Sequence, residues 1–271
     1  MNLNSSRKRS TIHRRKSRLI DTHAHLQWAD FDKDREQVIE RAFAAGLTGI
    51  VSIGYDLNAS REAVLIADGH ERIYAAVGIH PHNAKAMRTD VLSSLRELAQ
   101  DSKVVAIGEI GLDYYRNLSP RARQKEAFEQ QIRLAKELEL PVVIHDREAH
   151  ANVLQVLRNF GKNVTGVLHC FSGSVEMARE AIKLGYLISI AGPVTFPNAR
   201  NLYQLVQNVP VESIVLETDC PWLAPQSHRG KRNEPSFIIE TARKVAELKS
   251  LPFDEFVEAT TQNARELFGI H

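Results

Sequence analysis

Short β-branched runs alternate along this chain with longer stretches whose apolar positions recur at helical spacing. The runs are Leu19–Asp21, Gly49–Ile53, Ile73–Val77, Val104–Gly108, Val142–Ile144, Gly166–Leu168, Tyr186–Ile190 and Ser213–Leu216. Between them lie stretches near residues 33–45, 59–69, 89–100, 120–139, 148–160, 174–184, 198–208 and 235–249, with a last one near 253–268. Positions such as Val38, Ile39, Ala42 and Phe43 fall at i, i+3, i+4 spacing, which lays an apolar stripe along one face of a helix. Eight strand–helix units in strict alternation predict a parallel sheet with helices outside it, and eight is the strand number that closes a TIM (β/α)8 barrel. An open doubly wound sheet is the competing architecture. No GxGxxG follows the first strand, so the usual dinucleotide signature is absent.

The length of 271 residues suits one such domain. Charge then divides the chain in two. Residues 1–18 hold Arg7, Lys8, Arg9, Arg14, Arg15, Lys16 and Arg18 and no acid, whereas residues 19–271 hold 28 basic against 33 acidic side chains. A basic N-terminal arm, expected to be disordered, therefore precedes a mildly acidic barrel over 19–271. The arm lacks the apolar segment of a secretory signal. It reads as a disordered arm or an upstream start that adds little, as a transit-like segment, or as a nucleic-acid-binding arm, since clustered Lys and Arg attract phosphate without reading sequence. No apolar run reaches the ~20 residues that span a bilayer. Two cysteines, Cys170 and Cys220, outside any CxxC pair, point to a reducing compartment, hence a cytoplasmic protein.

Metal-ligand residue types cluster just after these strands. His23 and His25 follow the first; alternate residues of an extended chain point the same way, so the pair can chelate one ion. Asp21 and Thr22 are placed to orient them. Glu109 sits on a Gly-flanked strand tip, His145 follows Val142-Val143-Ile144, His169 follows Val167-Leu168, and Asp219 follows the eighth strand. In a closed barrel these positions converge on one face. Each residue alone also reads as a capping or salt-bridging group; the recurrence at equivalent positions favours a metal site. Glu217 is the rival carboxylate to Asp219, with the same strand parity.

A second HxH, His80 and His82, exceeds what one binuclear centre needs. These histidines are expected at the rim, as substrate contacts or as satisfied loop residues. Arg147 follows His145 closely, and its planar fork suits a phosphate. The loop after the eighth strand carries Arg229, Lys231 and Arg232, either over the site, as a polyanionic substrate would require, or as a solvated surface loop. Asp113 and Tyr115 are weaker candidates for orientation and substrate contact. Trp222 and Tyr114 are candidates for stacking on bases or for the core.

In order, Asp21-Thr22-His23-Ala24-His25, Gly78-Ile79-His80-Pro81-His82, Gly108-Glu109-Ile110-Gly111-Leu112-Asp113-Tyr114, His169-Cys170-Phe171-Ser172-Gly173, Glu217-Thr218-Asp219-Cys220-Pro221 and Arg229-Gly230-Lys231-Arg232-Asn233-Glu234-Pro235 closely resemble the TatD family of metal-dependent deoxyribonucleases, over about residues 19–268. The resemblance implies two divalent ions (Mg²⁺, Mn²⁺ or Zn²⁺): His23, His25 and Asp219 at one, His145 and His169 at the other, and Glu109 bridging. It also implies phosphodiester hydrolysis, often as a 3′–5′ exonuclease on single-stranded DNA or 3′ ends. A water activated between the metals would attack, with Asp219 taking its proton and His82, Arg229, Lys231 and Arg232 positioning phosphate. A monomer is expected. Hydrolysis of another bond, such as an aminoacyl-tRNA ester, stays open, as does a non-catalytic nucleic-acid-binding role.

Overall fold

The computed structural model describes residues 18–270; apart from Arg18, the basic arm expected at 1–18 lies outside the described residues. Eight parallel strands run in the order β1 to β8: Leu19–Ala24, Leu47–Ile53, Ile73–Val77, Val104–Asp113, Val142–Arg147, Gly166–Leu168, Tyr186–Ile190 and Ile214–Leu216. Each pairs with the next, and a parallel bridge between Ala24 and Cys220 joins the last segment to the first. The seam is closed by two backbone bonds, from Asp219 N–H to the His23 carbonyl and from His25 N–H to the Cys220 carbonyl, each 2.9 Å. The barrel is thus nearly closed, as the eight-unit alternation predicts.

Helices α1 to α8 cover Arg35–Ala45, Leu57–Asp68, Thr89–Leu98, Arg121–Leu138, His150–Phe160, Val175–Lys183, Arg200–Asn208 and Ile238–Lys249, and α9 covers Phe253–Phe268. Among the described residues, no helix is long and apolar enough to cross a membrane. Two apolar layers result. A large one packs strand residues such as Val77, Ile144 and Leu168 against helix residues such as Phe128, Leu157 and Val245. A smaller one fills the barrel with Ile20, Val51, Ala76, Val105, Val143, Val167 and Val215, joined by Phe268 and Ile270 from beyond the N-terminal ends of the strands. Burying an aliphatic side chain of this kind is worth about 1.5–3 kcal/mol.

Several strands run further than the hydrophobic pattern predicts. β4 extends to Asp113 rather than Gly108, and β5 to Arg147 rather than Ile144. His23, Glu109 and His145 therefore lie inside strands and are held by the ladder. The extension follows from pairing of Ile110 with Ile144, Gly111 with His145 and Asp113 with Arg147. Glycine makes this possible. A Cβ on Gly108 would lie 2.6 Å from Val143 Cβ, and one on Gly111, whose φ is +141°, would lie 2.0 Å from the His145 carbonyl oxygen.

Candidate metal centre

Side chains two residues beyond the apolar layer face the C-terminal mouth, because strand residues alternate between faces. Val143 leads to His145, Val167 to His169, and Val215 to Glu217 and Asp219. Apolar filling gives way to ligand-type groups one layer higher.

Glu109 lies at the centre, 4 % exposed. Its Oε2 lies 3.5 Å from His23 Nε2 and 3.8 Å from His25 Nε2. Its Oε1 lies 2.8 Å from His145 Nδ1, 3.0 Å from His169 Nε2 and 3.4 Å from His80 Nε2. The two carboxylate oxygens thus face two separate sets of imidazoles. Asp219 Oδ1 completes the first set at 3.7 Å from His23 Nε2 and 3.5 Å from His25 Nε2.

These atoms fit divalent ions. Two imidazole nitrogens meet at 3.1 Å between His23 and His25, and two at 3.3 Å between His145 and His169. Ligands about 2.1 Å from a tetrahedral ion stand about 3.4 Å apart, close to these separations. His23, His25 and Asp219 form one group with all ligand atoms within 4.8 Å of one another; Glu109 forms others with His23 and His169, and with His80 and His145. His80, expected at the rim, lies deeper: it is buried and belongs to the Glu109 cluster.

Outer groups orient the imidazoles. Asp113 Oδ2 lies 3.1 Å from His145 Nε2 and 2.9 Å from His82 Nε2, so one carboxylate fixes both rings. Glu217, fully buried, faces His169 Nδ1 at 3.2 Å and accepts from Ser189 Oγ and the Cys170 amide. It is therefore an orienting group, and Asp219 the carboxylate that faces the cluster. His25 Nδ1 is held 2.9 Å from the Ile53 carbonyl. Asp21 accepts from the Thr218 amide and hydroxyl, tying β1 to the segment that carries Asp219. Asp219 itself has φ of +52°, a left-handed conformation that Asp tolerates better than most residues.

Electrostatics follow from burial and crowding. Burial works against charge on His145 and His169, but carboxylates override it and raise both: Asp113 and Glu109 for the first, Glu109 and Glu217 for the second. Burial lowers His23, helped by His169, which stacks on it at 4.0 Å between centroids. Burial likewise pushes His80 down to about 4. Glu109 and Asp219 fall below the usual carboxylate range despite burial, because imidazoles surround them. Such a buried group of coupled acids and imidazoles is a mark of functional sites.

A cavity of about 880 Å³ opens over the cluster. His82 and Arg147 line it as the sequence suggests; Trp28, Tyr55 and Arg116 also line it and were not singled out by pattern. The basic loop is placed differently. Arg229, Lys231 and Arg232 are not among the lining residues. Arg232 forks onto Asp34 at 2.8 and 2.7 Å and lies over Phe31, while Arg229 lies over Phe196. Tyr114 packs against the core beneath Arg121.

Comparisons with known proteins identify the family. The model of the TatD-related DNase family matches residues 20–269. An uncharacterized metal-dependent hydrolase, YabD, of Bacillus subtilis is 46 % identical over 254 residues, covering 93 % of this chain and all of that protein. A 3′-5′ ssDNA/RNA exonuclease TatD of Erwinia amylovora is 37 % identical over 259 residues, covering 93 % of this chain and all of that protein. The crystal structure of YjjV, a TatD homologue from Escherichia coli K12, superposes with a TM-score of 0.89 at 31 % identity, covering 95 % of this chain and all of that one. The chain belongs to the TatD-related DNase family and is a metal-dependent hydrolase.

Proposed function

We propose that the protein is a metal-dependent exonuclease that removes nucleotides 3′–5′ from single-stranded DNA. The observation that carries this is the division of the Glu109 carboxylate between two imidazole sets under a cavity edged by Arg116 and Arg147. His23, His25 and Asp219 would hold one Mg²⁺, Mn²⁺ or Zn²⁺ ion, and His145 and His169, joined by His80, the other, with Glu109 shared. Divalent ions at such a site activate water and neutralise charge developing on phosphoryl oxygens.

The chain's own groups supply the remainder. Asp219 accepts the proton of the attacking water, its carboxylate kept ionised by the histidines around it. Asp113 and Glu217 keep the imidazole rings aimed at the centre, which costs no reorganisation during reaction. Arg147 and Arg116, which line the cavity with His82, bind phosphate. Arg229 and Lys231, both exposed, act only through longer-range attraction. The name of the Erwinia relative supports the nuclease reading and its polarity. All of these groups come from one chain, so a monomer suffices, and the free thiols of Cys170 and Cys220 fit a cytoplasmic setting.

The test is to change Glu109 to Ala and His145 to Ala and to assay 3′-labelled single-stranded DNA with Mg²⁺ or Mn²⁺. Both variants are expected to lose at least about a hundredfold in kcat/KM, in line with removal of a group acting on transition-state charge. Near wild-type cleavage by both would overturn the proposal. Turnover of aminoacyl-tRNA in place of DNA by the native enzyme would transfer the site to ester hydrolysis.

A further inference from the structure

Two opposite walls of the cavity differ in chemistry. On one side, Trp28 follows β1, Tyr55 follows β2 and Trp222 follows the Asp219 segment. Their rings form one cluster: Trp28 lies 4.7 Å from Trp222 and 5.3 Å from Tyr55, and Trp222 lies edge-on to His25 at 5.2 Å between centroids. The Trp222 amide donates to the Asp219 carbonyl at 3.0 Å, so this aromatic wall is built onto the His25–Asp219 side of the centre. On the other side, Arg116 follows β4 and Arg147 ends β5. With strands in ring order, β5 stands opposite β1. Arg147 is preset: its guanidinium lies 4.2 Å over the Tyr115 ring.

Exposure separates this arrangement from an ordinary core. Among the described residues four large hydrophobics are exposed, and two of them, Leu118 and Trp222, line this cavity. Trp222 is 41 % exposed although two aromatic rings adjoin it. Large apolar surface left open beside a polar site marks a binding surface. An aromatic face on one side of the cavity and arginines on the other match a nucleobase with its neighbouring phosphate. They do not match a compact anion, which would leave the tryptophans unused.

We propose that Trp28, Tyr55 and Trp222 form a nucleobase subsite that stacks the unpaired terminal base of the strand, while Arg147 and Arg116 take the adjoining phosphate. This deepens the exonuclease reading and rests on it. A base held in a Watson–Crick pair cannot slide against a wall inside the barrel mouth, so the subsite selects frayed or single-stranded ends. Base–aromatic stacking is sequence-tolerant because every base has a π face, so little base preference is expected.

The experiment compares two oligodeoxynucleotides that differ only at the 3′ terminus, one ending in an ordinary nucleotide and one in an abasic tetrahydrofuran residue. Removal of the terminal residue is followed with native enzyme, Trp222→Ala and Trp222→Phe. Native enzyme is expected to prefer the base-bearing end by about tenfold or more in kcat/KM, the scale of one stacked base. Trp222→Ala is expected to collapse that ratio toward one, chiefly by raising KM for the base-bearing end, and Trp222→Phe to restore most of it. Equal rates on both ends by native enzyme, or equal loss on both ends in Trp222→Ala, would overturn the subsite while leaving the nuclease reading standing. Absence of any cleavage by native enzyme would overturn both.

Discussion

Asp113 Oδ2 lies 3.1 Å from His145 Nε2, on the ring edge opposite the one that faces Glu109. The imidazole is thereby pinned between two carboxylates, and its Nδ1 is committed to the cluster. A carboxylate behind a ligand histidine fixes the tautomer and raises ligand basicity. Asp113→Asn keeps the shape and removes the charge. It is expected to weaken metal binding by about 10–100-fold and to lower the thermal stability of the metal-free protein, since the buried carboxylate supports the protonated His145 ring. Metal titration by calorimetry decides; affinity equal to that of the native protein would remove Asp113 from this role.

Gly111 joins the same two strands through its backbone. Its φ of +141° excludes most side chains, and any Cβ would overlap the His145 carbonyl. Gly111→Ala must therefore push β4 away from β5 at the point where both carry proposed ligands. The expected cost is about 3 kcal/mol or more, at the upper end for single substitutions. Denaturant unfolding measures it, and the metal site is expected to fail with it. An alanine variant as stable as the native protein would contradict the close approach described here.

Arg147 and Arg232 look alike in sequence, as basic residues near proposed ligands, but the structure separates them. Arg147 lines the cavity, whereas Arg232 is spent on Asp34 and the Asp30 carbonyl. Arg147→Ala is expected to reduce the slope of log K against log salt for single-stranded DNA by about one phosphate contact. Arg232→Ala should leave that slope unchanged and cost about 1 kcal/mol of stability, the scale of a half-exposed ion pair. The reverse pattern in salt titrations would return the substrate role to the basic loop.

Metal uptake is expected to release protons. His145 and His169 are raised above the ordinary imidazole value, so in the metal-free protein they keep their protons to higher pH. A cation needs them neutral. Affinity therefore rises with pH through and above the ordinary imidazole range and falls steeply on acidification. Calorimetry in two buffers of different ionisation enthalpy reads the released protons; identical heats in both would show that these rings bind no proton to displace.

Much of this architecture was legible because period and position carry it. Val142-Val143-Ile144 before His145 is a strand by composition, and the barrel then dictates where His145 faces. The HxH of His23 and His25 followed from strand alternation. What pattern could not give was distance across the fold. Arg232 meets Asp34, which is 198 residues away, and nothing local marks that pairing. His80 enters the Glu109 cluster because of how the turn after β3 sits, not because of its spacing from His82. Trp28 and Tyr55 look like ordinary loop aromatics until Trp222 is brought beside them. Asp113 reads in the sequence only as a weak candidate, since its value comes from reaching His82 and His145 at once. The signal that could have found it is strand parity: 109, 111 and 113 share one face.

Under the proposed reading, Glu109 would be shared by two divalent ions at the mouth of the barrel. Metal content per chain, measured by elemental analysis on the same samples assayed for single-stranded DNA cleavage, tests it most directly. Two ions and turnover are expected in the native protein, and fewer than two ions with turnover lost in Glu109→Ala. A Glu109→Ala protein that keeps both ions and degrades DNA at the native rate would contradict it.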